Sequence, residues 1–480
     1  MLSPPSAPHL KTFWSHLFSD DEVREMDVTM IKNGMPSETL MEIAGHQCAV
    51  AIQQHCDDTS TFIILCGGGN NGGDGYVVGR WLSIWGFDVT LCAVVEPKTT
   101  DAIKNVQRCE CLGISNISWT EIDDFIDTQK NLVLIESILG TGQNRMIEGL
   151  FGDICDWLHH QKQRSLLFSI DTPLGIGRGQ TWHEKPVDPH FCLNIGASKW
   201  SLYTGHITGQ IINIDIGFSQ LQSQSSIRQI ENSILDVYPK LSSNSVKWDK
   251  GHVAILAKKG AAVLAAHSAL ACGAGLVTLL VDEEDLSYLI GLRPEIILAK
   301  TSQLDPKRHD ALIVGPAFGF EDRKLLKDLW NNFPKPALFD ADALRIIDKT
   351  PSPFPRVITP HSAEAGSLLG ISRVEIEQRP FVALEQLSAI ATCVLKGHHS
   401  KISDGKTTLI NTLSAPLLGT AGSGDVLCGV IGTLLSKGLD NISATALGVF
   451  LHAEAGSKMK YGDGASRIID LLQDILKDHL

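Results

Sequence analysis

Short apolar runs that stop at a glycine, a proline or an aspartate recur along this chain, with helical stretches between them. In the first half they fall at 61–66, 89–95, 131–136 and 166–171. In the second half "LVTLLV", "ALIVG", "ALFDAD", "RVITP" and "CVLKG" repeat the pattern. Strands that are apolar on both faces need cover on both faces, so this alternation predicts parallel sheets wrapped by helices. Ligands of such sheets bind beyond the carboxyl ends of the strands, where the turn-forming residues stand. The stretch "FSQLQSQSSIRQIENS", 218–233, is polar and reads as a linker. Two α/β domains in tandem are expected, 1–225 and 226–480. The boundary falls between about 218 and 245, with "WDKGHVAILA" opening the second domain's first strand.

Charge narrows the choice of partner. With 54 acidic against 41 basic residues the net charge is -13, and no basic stripe is present to neutralise phosphates, which argues against nucleic acid. The eleven cysteines include no C-x-x-C pair and read as reduced thiols. "MLSPPSAPHLKTFW" lacks the basic-then-apolar order of a signal peptide. Gly260 to Val281 carries no Asp, Glu, Lys or Arg and meets the length of a membrane span. His267 and the break "CGAG" divide it, so a buried helix, a glycine turn and a buried strand are expected there. The expectation is a cytoplasmic protein without a membrane partner.

Two glycine-rich stretches carry the chemistry. In "LCGGGNNGGDGYVVGR", Gly67, Gly69 and Gly72 satisfy G-x-G-x-x-G after an apolar strand, and Glu96 closes the next apolar run. Such a loop cradles phosphate at a helix N-terminus. Asn70, Asn71, Gly73, Asp74 and Gly75 exceed what a cofactor cradle needs, so the bound dinucleotide could equally be a substrate. In "GTAGSGDVLCGVIGTLLSKGL", apolar residues at helical spacing predict a helix from near Asp425 to Lys437–Gly438. The glycines before it leave an anion hole of free N–H groups, with Asp425 at its mouth. A carboxylate there can accept the proton of a hydroxyl attacking a phosphoryl group, or it can simply cap the helix. "LKGHHS" offers a Lys–Gly pair suited to nucleotide phosphates, and "TPHSAE" presents His361 beside Glu364.

"GPAFG", "DADAL", "TPHSAE", "LKGHHS" and "GTAGSGDVL", in that order, resemble the ribokinase-like NAD(P)H-hydrate dehydratases. "LMEIAG", "GGGNNGGDG", "LGTG" and "IDTPLG" resemble the NAD(P)H-hydrate epimerase domain. The tandem is similar to the bifunctional NAD(P)H-hydrate repair enzymes over roughly 20–470. The resemblance implies a Rossmann-like domain followed by a ribokinase-like α/β domain. It also implies a substrate, NADH or NADPH hydrated on the nicotinamide ring, whose R and S epimers the first domain interconverts. The second would dehydrate the S form at the expense of ADP, or ATP, with Mg2+.

The same resemblance assigns roles. Asp425 would be the base on the ring hydroxyl and Gly424 would hold the phosphate. Lys396, Gly397, His398, His399 and Ser400 match the nucleotide loop, and Ala261, Ala317 and His361 match positions that bind the hydrate. In the first domain Asn70, Asn71, Gly72, Gly73 and Asp74 match one hydrate-binding loop. Gly140, Thr141, Gly142, Gln143, Asn144, Arg145 and Met146 match another. Asp171 matches the carboxylate beside the ring, a candidate for proton transfer. Asn71 matches a K+ ligand and Glu136 stands where a second, usually Asp, is found; Leu174 replaces a third, usually Ser. A homo-oligomer is expected from the family. Two alternatives stay open: a ribokinase-like small-molecule kinase, and a dehydratase carrying a non-catalytic nucleotide-binding N-terminal module.

Overall fold

The computed structural model describes residues 14–126, 130–217, 225–240, 242–281, 292–317, 322–347 and 349–479. The chain divides into two compact units, one over His16–Ser225 and one that gathers Ser226–Leu480.

The first unit is built on a parallel sheet in the order Gln210–Ile214, Phe191–Ile195, Leu166–Ile170, Leu132–Ser137, Thr61–Cys66, Asp88–Ala93 and Ser115–Ser118. Its central strands, Thr61–Cys66 and Leu132–Ser137, are buried at every position. That explains the continuous apolar runs, since helices pack on both faces. The first helix is Asp20–Lys32, and its cap is Ser19 in a reciprocal capping box with Glu22.

The second unit holds a larger sheet running from Ile227–Ile230 through Thr408–Ile410, Lys401–Ser403, Thr392–Leu395, Arg356–Ile358, Ala337–Phe339, Ala311–Val314, His252–Leu256 and Leu276–Leu280 to Ile297–Ala299. It is parallel except where Lys401–Ser403 pairs with its two neighbours. Gly260–Val281 resolves into the helix Lys259–Ala271, a turn and the strand Leu276–Leu280. No helix among the described residues is long and apolar enough to cross a membrane.

The linker reading needs correction. Residues 218–224 lie outside the described residues, but Ile227–Ile230 is a strand paired in parallel with Thr408–Ile410. His252–Leu256 is therefore not the second unit's first strand. A four-residue strand with two polar residues, "IRQI", carries too little apolar pattern to be told from linker.

Candidate functional site

In the first unit the strand Thr61–Cys66 ends in a turn at Gly67–Gly69, and the helix Asn70–Ile84 starts directly after it. Asn70 to Asp74 thus form the first helical turns rather than a continuing loop. The glycines permit close approach of backbone to backbone: a Cβ on Gly67 would lie 2.0 Å from the Ile138 carbonyl oxygen, and one on Gly72 1.8 Å from that of Gly67. The helix N-terminus opens on a cleft of about 430 Å³.

Asn70, Asn71, Asp74, Gly140, Thr141, Gly142 and Asp171 all line that cleft. Asp171 sits at φ +67, after the strand Leu166–Ile170, and accepts the Thr141 N–H at 3.1 Å. Gly72 and Gly73 lie beneath it, packed against Gly67 and Met41. Gln143 is buried and ties two loops together, donating to the carbonyls of Gly140 and Pro173 at 3.0 Å and accepting the Gly175 N–H at 2.6 Å. Asn144, Arg145 and Met146 are exposed, away from the lining.

Three participants were not legible in the sequence. Lys199 has no exposed area; its ammonium lies 2.8 Å from Asp171 Oδ1 and donates to Asn194 Oδ1 and the Ile195 carbonyl, each at 2.8 Å. Arg24 reaches from the first helix to the Thr141 carbonyl at 2.5 Å. Asp27 lines the cleft, and burial, then the charge of Asp171, push its carboxyl up to about 6. Burial also holds Asp74 well above the usual carboxylate range. Asp171 beside two carboxyls of raised proton affinity is an arrangement able to give and take a proton.

The residues fit a K+ site only in part. The Asn71 Oδ1 is buried without a partner, as the oxygen of an enclosed cation ligand would be. Glu136 differs. Its carboxylate is fully buried, pushed up to about 7 by that burial, and its two oxygens accept the N–H groups of Ile138 at 2.9 Å and Leu174 at 3.3 Å. Leu174 offers no side-chain ligand. Glu136 therefore joins the two loops beside the cleft, and the donor set for K+ is incomplete.

In the second unit the helix is Ser423–Ser436, capped by the backbone of Gly422 at φ +89, and no side chain caps it. Asp425 lies in its first turn, so the carboxylate is not spent on capping. Asp425, Gly424, His361, Lys396, Gly397, His398 and Ser400 line one cavity of about 730 Å³. Burial, then the charge of Asp340, push Asp425 up to about 6, against the opposing pull of Lys396. His399 is buried behind this lining and its imidazole is held neutral. Ala261 lies in the first turn of Lys259–Ala271 and Ala317, at φ +53, is exposed; neither lines the cavity. His361 caps the helix Ser362–Leu369 through Nδ1. His452, unforeseen from the sequence, bonds the Ser423 carbonyl through Nε2 at 2.9 Å and is kept neutral by burial, its pKa near 4. Among the described residues no group of three or more His, Cys, Asp or Glu is placed to hold a metal ion.

Fold and sites together define a two-unit α/β enzyme, one unit opening a cleft at a glycine-entered helix N-terminus and the other a cavity at a second such helix with an aspartate in its first turn. The NAD(P)H-hydrate dehydratase family matches residues 256–478, and the family described as YjeF-related protein N-terminus matches 37–201. The bifunctional NAD(P)H-hydrate repair enzyme Nnr of Escherichia coli K12 is 30% identical over 504 residues, covering 98% of this chain and 94% of that protein. The enzyme of the same name from Coxiella burnetii is 27% identical, covering 92% and 94%. An ADP/ATP-dependent NAD(P)H-hydrate dehydratase of Bacillus subtilis, crystallised with ATP and Mg2+, is 24% identical over 52% of this chain and 96% of its own, with a TM-score of 0.47. The chain belongs to the family of bifunctional NAD(P)H-hydrate repair enzymes.

Proposed function

We propose that the two cavities divide the repair of hydrated NADH and NADPH as the family does. The first unit epimerises the R and S hydrates, and the second dehydrates the S form using ADP. The observation that carries this reading is Asp425, a base pushed up to about 6 in the first turn of a glycine-entered helix whose N-terminus shares a cavity with Lys396.

Hydroxide is a poor leaving group from the ring. Asp425 takes the hydroxyl proton as that oxygen attacks the terminal phosphoryl of ADP, which leaves as AMP. The N–H groups at Gly424 and the Lys396 ammonium hold the anion as it moves. The ring nitrogen then pushes phosphate out, and loss of the neighbouring C–H proton restores the double bond. Mg2+, when bound, would neutralise charge on the phosphates and would enter on the nucleotide with its own waters. In the first unit, Asp171 stands where a proton can be moved at the hydrated carbon, with Asp27 and Asp74 as neighbouring acids. Asn70 at the helix N-terminus and the Gly140–Gly142 turn hold the dinucleotide. We infer a cytoplasmic enzyme acting on free small molecules, as a homo-oligomer.

Two single substitutions test the division. Asp425→Asn should abolish recovery of reduced cofactor from either epimer. Asp171→Asn should leave dehydration of the S form intact and stop recovery at the S fraction. Full recovery by Asp171→Asn, faster than spontaneous epimerisation, would contradict the assignment; recovery stopping at the S fraction in the unmodified chain would make the first unit a binding module.

A further inference from the structure

The Asp340 carboxylate is 2% exposed at the end of the strand Ala337–Phe339. Its Oδ1 lies 2.7 Å from the Lys396 ammonium, and its Oδ2 accepts the Cys428 thiol at 3.2 Å. Lys396 follows the strand Thr392–Leu395, two strands away in the sheet; its backbone N–H is bonded to the Pro360 carbonyl at 2.8 Å, and its ammonium is also 3.8 Å from Glu364 Oε2. The pair lies over the first turn of Ser423–Ser436. A Cβ built on Gly424 would be 3.5 Å from Lys396 Nζ and 3.8 Å from Asp340 Oδ2.

The ion pairs of Lys396 are with Asp340 and Glu364, and not with Asp425 one residue along that turn. This matters because a lysine that paired with Asp425 would lower its proton affinity and weaken it as a base. We propose that Asp340 is a positioning residue for phosphoryl transfer: it holds the Lys396 ammonium at the helix N-terminus, where the anion binds, and away from the Asp425 carboxylate. Glu364 is the second tether. The inference rests on reading this cavity as the phosphoryl-transfer site.

The other titratable groups around Asp425 are already committed. His452, on Asn441–Ser457, is bonded to Ser423 and neutral; Cys428, on the same helix as Asp425, is a buried thiol kept protonated. His361 pairs with Glu364 at 3.4 Å. Asp340 and Lys396 remain as the charges that set Asp425, the first raising its proton affinity and the second lowering it.

The test is Asp340→Asn in the full chain, with Asp340→Glu as the conservative control and kcat for ADP-dependent dehydration followed against pH. In the unmodified enzyme the rate should fall on the acid side near pH 6, as Asp425 takes its proton. In Asp340→Asn that limb should move to lower pH. Its kcat should drop by about 10- to 100-fold, toward the full loss of a general base, with little change in the KM for ADP, and Asp340→Glu should recover much of the rate. An acid limb that stays in place while kcat and melting temperature fall together would overturn the proposal in favour of a packing role. A limb that stays in place with a raised Mg2+ requirement would overturn it in favour of a metal ligand. Asp425→Asn separates the two levels: if that variant still dehydrates, the reading of the cavity fails, whereas an inactive Asp425→Asn with an unmoved limb in Asp340→Asn removes only the positioning role.

Discussion

The Lys199 ammonium lies 2.8 Å from Asp171 Oδ1 with no area of its own exposed to solvent. It is paired with Asp171 in a region where Asp20, Asp27 and Asp74 are all held above the usual carboxylate range. Removing one partner of a buried pair leaves the other unpaired and costs about 3–5 kcal/mol. Lys199→Met should therefore destabilise the first unit by that order in denaturant melts and abolish epimerisation, with dehydration of the S hydrate retained. A variant that loses neither stability nor epimerase activity would show the pair to be incidental.

Gly72→Ala tests the packing of the cleft without touching a charged group. The new methyl would meet the Gly67 carbonyl oxygen at 1.8 Å, a backbone atom that cannot rotate away. Overpacking of this kind costs about 1–3 kcal/mol. The expected outcome is a lower melting temperature and weak binding of an NADH analogue to the first unit, with nucleotide binding to the second unchanged.

Mild acid should pull the stabilities of the two units in opposite directions. In the first, burial raises Asp20 and Asp74 and pushes Asp27 to about 6 and Glu136 to about 7, so the folded form binds more protons than the unfolded chain between roughly pH 7 and 4. Its stability rises as pH falls through that window. In the second, burial lowers His309 and His399 and takes His252 and His452 to about 4, so the unfolded chain binds more protons below about 6.5. There stability falls with pH, opposed only in part by the raised Asp425. Hydrogen exchange of the full chain at pH 7 and pH 5, corrected for intrinsic rates, should show protection rising in the strands around Thr61–Cys66 and falling in those around His252–Leu256. The same direction in both would contradict it.

Glu136 bears on the monovalent cation. Both its oxygens are committed to backbone N–H groups, and Leu174 supplies no side-chain ligand. Exchanging K+ for tetramethylammonium should leave the epimerisation rate unchanged. A steep loss would mean that backbone carbonyls and Asn71 complete the site without Glu136.

What could be read from the sequence was what lies close together in it. The Gly67–Gly72 turn and the Gly422–Asp425 helix start are each a few residues long, and glycine content with helical spacing marks them. The partners of these residues were hidden because the chain brings them from far away. Arg24 meets Thr141 across 117 positions, and Asp340 meets Lys396 across 56. A lone lysine in "ASKW" carries no sign that it is buried against Asp171. The strand Ile227–Ile230 was lost for another reason: short and half polar, it owes its existence to pairing with Thr408–Ile410.

Both cavities should act on one substrate in turn. Purified chain with Mg2+ and ADP should be given a mixture of R and S NADH hydrates while the reduced-nicotinamide absorbance is followed. Recovery should be complete, passing the S fraction faster than the hydrates interconvert unaided. No recovery with either ADP or ATP would contradict the account outright.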